Sequence, residues 1–193
     1  MAFWQNKAVL FSCGVMSCVF LQIGPVSATT QTHNLVGTAP IKASVEFRVA
    51  SQDSKEIPGA RVIVIDKSGK ILNSGLTNQK GIWDAALTVE QDSRFKDVKQ
   101  LGTVTTICVA KGYNEDITFE VPVHEGAVQP IILRQINGKA RNEPTRSLGN
   151  LHRHTIVDLM NHYAEQYGLS KQAPINSDPG RTPWSPESKA GVR

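Results

Sequence analysis

The chain has 193 residues, 40% hydrophobic, 20% charged and 6% aromatic, a balance that supports one globular domain with appendages and excludes wholesale disorder. The formal charge of +4 at pH 7 is uneven: residues 29–136 carry 12 basic and 12 acidic groups, and residues 137–193 carry eight and five. So dilute a surplus excludes a nucleic-acid-binding patch, and three cysteines, two of them Cys13 and Cys18, exclude a disulfide-stapled scaffold.

Residues 1–28 hold one charge, Lys7, followed by the mostly apolar stretch Ala8–Ile23 and the small residues Val26-Ser27-Ala28. This is the layout of a cleavable secretory signal. The apolar stretch includes Ser12, Gly14, Ser17 and Gln22 and falls short of the roughly 20 apolar residues a bilayer-spanning helix needs. Val15-Met16-Ser17-Cys18 faintly resembles a lipidation box, but apolar Val19-Phe20-Leu21 follows where polar residues belong. Cleavage after Ala28 is expected to leave the chain secreted or extracytoplasmic, in a periplasm, at a cell surface or outside the cell, with membrane contact only through the signal before cleavage. It would also leave Cys108 as the sole cysteine. That residue lies in the apolar run Thr106-Ile107-Cys108-Val109-Ala110, where a thiol behaves as a small buried hydrophobe.

Residues 29–41 lack periodicity and read as a mobile lead-in. From Ser44 to Ala50 apolar and charged residues alternate, which places Val45, Phe47 and Val49 on one face of a strand. Ile57-Pro58-Gly59 precedes the β-branched run Ala60–Asp66, and Ile71–Thr77 forms a weaker strand. The turn Asn78–Gly81 leads into Ile82–Val89, with Trp83, Ala85, Leu87 and Val89 on one side. Gln91–Gln100 is dense in charge and reads as an exposed loop. Three more runs follow: Thr103–Ala110, then the alternating set Ile117, Phe119, Val121 and Val123, then Val128–Ile136. Seven short strands with turn residues between them, and no helical pattern across residues 42–136, predict an all-β fold, a seven-stranded antiparallel Greek-key sandwich.

Three segments carry a family resemblance. Ile57-Pro58-Gly59-Ala60-Arg61-Val62, Thr77-Asn78-Gln79-Lys80-Gly81-Ile82-Trp83 and Ala110-Lys111-Gly112-Tyr113 resemble, in the same order, the second-strand start, the aromatic turn and the Gly-Tyr corner of carboxypeptidase regulatory-like domains. The resemblance covers residues 42–136 and implies a transthyretin-like or Ig-like sandwich, of a kind that usually serves as a non-catalytic module. It transfers no catalytic residues. Asn78 stands where the family more often has aspartate, and His124 is the only histidine in the matched region, whereas the related transthyretin-fold hydrolases cluster histidines with arginine.

Residues 137–150 read as a polar linker, and residues 151–168 as an amphipathic C-terminal helix capped by Asn150 and stopped by Gly168. Ile156, Met160, Tyr163 and Tyr167 form its apolar stripe, expected to dock on the sandwich or to meet a partner. On another face His154, Asp158 and His162 recur every four residues, with His152 nearby, a spacing at which imidazole and carboxylate can hold a divalent metal. The His-Glu-x-x-His order of zinc hydrolases is absent. Residues 169–193, rich in Pro, Gly and Ser, read as a disordered tail in which Trp184 could anchor a contact.

Taken together, these features predict a non-enzymatic binding module without a cofactor, whose partner is an extracellular or envelope protein or a surface polymer, and not a nucleic acid. A metal-binding protein or metal-assisted hydrolase on the His/Asp helix face, and a carbohydrate-binding module, are the alternatives.

Overall fold

The computed structural model describes residues 39–174 and 182–188. The signal segment with Cys13 and Cys18, most of the lead-in and the rest of the tail lie outside the described residues. All seven expected strands are present: β1 (Ile41–Ser51), β2 (Arg61–Ile65), β3 (Ile71–Leu76), β4 (Ile82–Val89), β5 (Gly102–Val109), β6 (Asp116–Val123) and β7 (Ala127–Leu133). Three short strands and a helix follow: β8 (Thr145–Leu148), α1 (Arg153–Tyr167), β9 (Leu169–Lys171) and β10 (Trp184–Ser188). The first eight strands make two sheets, ordered β4-β1-β7 and β3-β2-β5-β6-β8, while β9 and β10 pair with each other.

The core lies between these sheets, where alternation delivers one face of each strand. Val45, Phe47 and Val49 of β1 meet Val62 and Val64 of β2, Val104 and Cys108 of β5, and Ile131 and Leu133 of β7 in one cluster of buried side chains. Burying a residue such as Phe47, which is 0% exposed, stabilises by about 2–3 kcal/mol. Trp83 is partly buried and stacks on Phe47 with ring centroids 5.6 Å apart, so it caps the core.

Turn chemistry sets the register. The Thr77 hydroxyl donates to the Ile57 carbonyl at 2.7 Å and accepts from the Ala60 amide at 2.9 Å, which fastens the start of β2 to the end of β3. At the next corner Asn78 Oδ1 accepts from the Lys80 amide at 2.8 Å, and Gly81 takes φ 69°. A β-carbon at Gly81 would stand 2.4 Å from the Val49 carbonyl, so two independent constraints require glycine there.

The structure departs from the expected alternation in β6. Ile117, Phe119, Val121 and Val123 predict one buried face, yet Phe119 is 42% exposed while Asp116 and Thr118 are buried beside Val121 and Val123. The cause is one extra residue: Val104 pairs with Val121 but Thr106 pairs with Thr118, and Glu120 between them adopts φ 59°. A bulge of this kind reverses which side chains face inward on either side of it. The inward polar groups satisfy one another, since the Thr118 hydroxyl donates to Asp116 at 2.7 Å and the Ser147 hydroxyl lies 3.0 and 3.1 Å from the two carboxylate oxygens.

Two strand pairs are parallel, β1 with β7 and β6 with β8; the other pairs are antiparallel as expected. Part of the expected linker is therefore strand: residues 145–148 lie along β6 and satisfy its outer edge. A four-residue strand is too short to announce itself by periodicity.

Candidate interaction surface

The surface begins with α1. Its first turn is capped by His152, whose Nδ1 accepts from the His154 amide at 3.4 Å. Asn150, the expected cap, is engaged elsewhere: its amide donates to the Gln129 side chain at 2.7 Å and its carboxamide donates to the Val128 carbonyl at 3.1 Å. Gly168 ends the helix as expected, with φ 79° and its N–H directed at the Ala164 and Glu165 carbonyls.

The stripe is only partly covered, and of its members Tyr163 also serves as a tether through its hydroxyl. Ile156 is 42% exposed, Met160 47%, Tyr163 44% and Tyr167 71%, whereas Thr155 and Ala164 are the residues it buries. Two polar tethers hold the helix in that orientation. The Tyr163 hydroxyl donates to the Arg94 carbonyl at 3.1 Å, and His162 Nε2 lies 3.7 Å from Asp97. Both tethers land on the charged loop of residues 91–100, which is exposed as expected but pinned by a turn at Ser93–Phe95 with Phe95 buried.

That loop is organised by Arg94. Its guanidinium pairs with Asp92 and with Glu120, and the Thr103 hydroxyl donates to Asp92 at 2.9 Å. The hydrogen bonds from Arg94 hold the Asp92 carboxyl down at about 2, against the opposing effect of partial burial, with the Thr103 hydroxyl adding to the stabilisation of the charged form. The same two carboxylates push the Arg94 guanidinium upward. Sequence reasoning missed this cluster. Asp92 and Arg94 are two residues apart and readable as a local pair, but Glu120 comes from the bulge of β6, 26 residues on, and nothing local points to it.

The metal-ligand candidates are dispersed. His154 and Asp158 are exposed, His162 faces Asp97, and His152 both caps the helix and stacks on His154 with centroids 5.1 Å apart. Among the described residues no three His, Cys, Asp or Glu side chains are grouped to hold an ion. Side chains four apart on a helix are neighbours, but His154 and His162 stand two turns, about 12 Å, apart, so a third ligand would have to come from a second element. Cys108 is fully buried, and burial together with the Asp116 charge pushes its thiol up to about 12.

Trp184 is tied into the chain. Its indole Nε1 donates to Asn161 Oδ1 at 3.0 Å, and the Lys171 ammonium sits 3.3 Å from the ring centroid while also donating to Asn161 at 3.3 Å. The expected disordered tail thus contains a strand pair, β9 with β10, fastened to the helix. No helix among the described residues is long and apolar enough to cross a membrane.

No protein-family model and no curated protein matches the chain. Similar solved structures include the Bacillus anthracis TIE protein, 18% identical with a TM-score of 0.38 over 50% of this chain and 18% of that one. Others are the wild-type catechol 1,2 dioxygenase of Acinetobacter radioresistens, 13% identical with a TM-score of 0.36 over 55% and 58%, and the shaft pilin spaA of Lactobacillus rhamnosus GG, 13% identical with a TM-score of 0.35 over 52% and 49%. The chain spans less than two thirds of the length of each of them. Matches at this level carry no activity, substrate or partner to this chain.

Proposed function

We propose that the chain is an exported, non-catalytic binding module of the carboxypeptidase regulatory-like type, which presents its C-terminal helix to a protein partner at the cell envelope or outside the cell. The secretory layout of residues 1–28 supports export. The sandwich supplies rigidity and the helix supplies contact chemistry.

The observation that carries this reading is the outward stripe of α1. Ile156 and Tyr167, 42% and 71% exposed, keep large apolar surface in water on a helix held to the sandwich by other groups. A protein partner covering such side chains would gain about 25 cal/mol for each Å² of apolar surface removed from water, and aromatic anchors of this kind concentrate binding energy.

The test is site-specific photo-crosslinking in cells that produce the protein, with the reactive side chain at position 156 or 167 and, as control, at exposed Lys80 on the β3–β4 turn. A discrete crosslinked species from positions 156 and 167, absent from 80, is expected. Equal crosslinking at all three positions, or none at the helix, overturns the assignment. Truncation tests must begin after Asn150, because β8 belongs to the sandwich and Asn150 is bonded to Gln129 and Val128.

A further inference from the structure

A second surface is built by the segment that leads into β8. Residues 137–144 fold back against the end of β7 and the turn at Asn114, and leave a polar cleft of about 270 Å³ lined by Gln52, Asn114, Arg134, Gln135, Arg141 and Glu143 among others. It continues past Arg134, Glu143 and Pro144 into an open cleft of about 570 Å³ that reaches Thr145 and Arg146.

The asparagines around this cleft hold the loop in shape. Asn142 Oδ1 accepts from the Asn137 amide at 2.8 Å, and its carboxamide donates to the Asn137 carbonyl at 3.0 Å. Asn137 Oδ1 in turn accepts from the Lys139 amide at 2.9 Å, and Asn114 donates to the Arg134 carbonyl and to Asn142, each at 3.4 Å. The guanidinium groups have no such structural task. Arg141 is neutralised by Glu143 at 2.7 Å, but among the described residues neither Arg134 nor Arg146 has an acidic partner. The loop is thus pre-shaped, and its cleft keeps two uncompensated planar cations.

We infer that this cleft binds an oxyanion carried on a hydroxyl-rich polymer, a uronate polysaccharide or a polyol phosphate, with Arg134 and Arg146 as the anion-contacting residues. Guanidinium forks match carboxylate and phosphate oxygens in bidentate geometry. Gln52 and Gln135 offer donors and acceptors for hydroxyl groups, and the Thr145 hydroxyl, which donates to the Glu115 carbonyl at 3.2 Å, offers an acceptor. The lining has only Ala140 and Pro144 as apolar side chains and no aromatic, so it provides no pocket for the apolar anchors that dominate peptide binding. Exposed arginines attract each anion weakly, and a repeating polymer multiplies that attraction without a new contact.

The test is affinity electrophoresis of the purified protein through gels containing polygalacturonate, a glycerol phosphate polymer, neutral dextran or polyglutamate. Retardation by one of the first two and none by dextran is expected, and which of the two retards identifies the source of the oxyanion. The double variant Arg134→Gln/Arg146→Gln should weaken that retardation about tenfold at low salt with an unchanged melting temperature, the loss of two charge-assisted contacts. The control Lys42→Gln/Lys80→Gln, with the same change of net charge at exposed sites elsewhere, should leave it intact. Retardation by neither of the first two polymers, equal weakening in the control, or polyglutamate binding as tightly as they do overturns the inference. None of these outcomes depends on the helix stripe.

Discussion

Gly149 packs its backbone directly against the carbonyl of Glu120, so closely that a β-carbon on residue 149 would stand 2.0 Å from that oxygen. The contact joins the crossover after β8 to the bulge of β6, and the Gly149 amide donates to the Phe119 carbonyl at 2.6 Å on the same spot. Glu120 holds a left-handed φ of 59°, a conformation that costs a non-glycine residue about 1 kcal/mol or more unless its surroundings support it. Gly149 on one side and Arg94 on the other provide that support.

Gly149→Ala should therefore destabilise the sandwich by about 1–3 kcal/mol, because the clash is with backbone and cannot be relieved by a rotamer change. Gly138→Ala, where a β-carbon meets nothing within 4 Å, should stay within about 0.5 kcal/mol of the parent. Chemical denaturation of the two variants measures the difference, and equal midpoints would remove the structural role given to Gly149.

The Asp92–Arg94 pair predicts an acid-sensitive component of stability. Asp92 titrates at about 2 in the fold against 3.8 for the free group, so its stabilisation is complete above about pH 4 and is lost as pH falls through 2. Arg94 is half exposed, so solvent screening limits the contribution to about 1 kcal/mol. Asp92→Asn should be less stable than the parent at pH 7 by that amount, and the gap should close between pH 4 and pH 2. A gap that is constant over this range in thermal melts at stepped pH would show that the carboxylate charge is not what matters.

Asn161 accepts from both Trp184 and Lys171, and this makes it a fastening point of the tail. Asn161→Ala should release the β9–β10 pair and speed tryptic cleavage after Lys171 roughly fivefold, the population change that about 1 kcal/mol brings. The melting temperature of the sandwich should not move, since the residues concerned lie outside its core cluster. An unchanged cleavage rate would count against the clamp.

What the sequence determined by itself is what local periodicity can encode: strands β1 to β7, the core faces of β1 and of Ala85, Leu87 and Val89 in β4, and the Gly168 stop of α1. Each of these depends on residues within a few positions of one another, where steric and solvation preferences act directly. Tertiary structure alone decided the inversion at Glu120, the parallel placement of β7 beside β1 and β8 beside β6, and the rotation that turns Ile156 and Tyr167 outward. In each case the outcome is set by groups far away in the chain: Gly149 and Arg94 around the bulge, the open edge of β6 for residues 145–148, and the Arg94 carbonyl for Tyr163. The Arg134 cleft belongs to the same class, because its charge is plain in the sequence while two guanidiniums without an acidic partner among the described residues become a site only when the Asn114–Asn142 contact draws the loop around them.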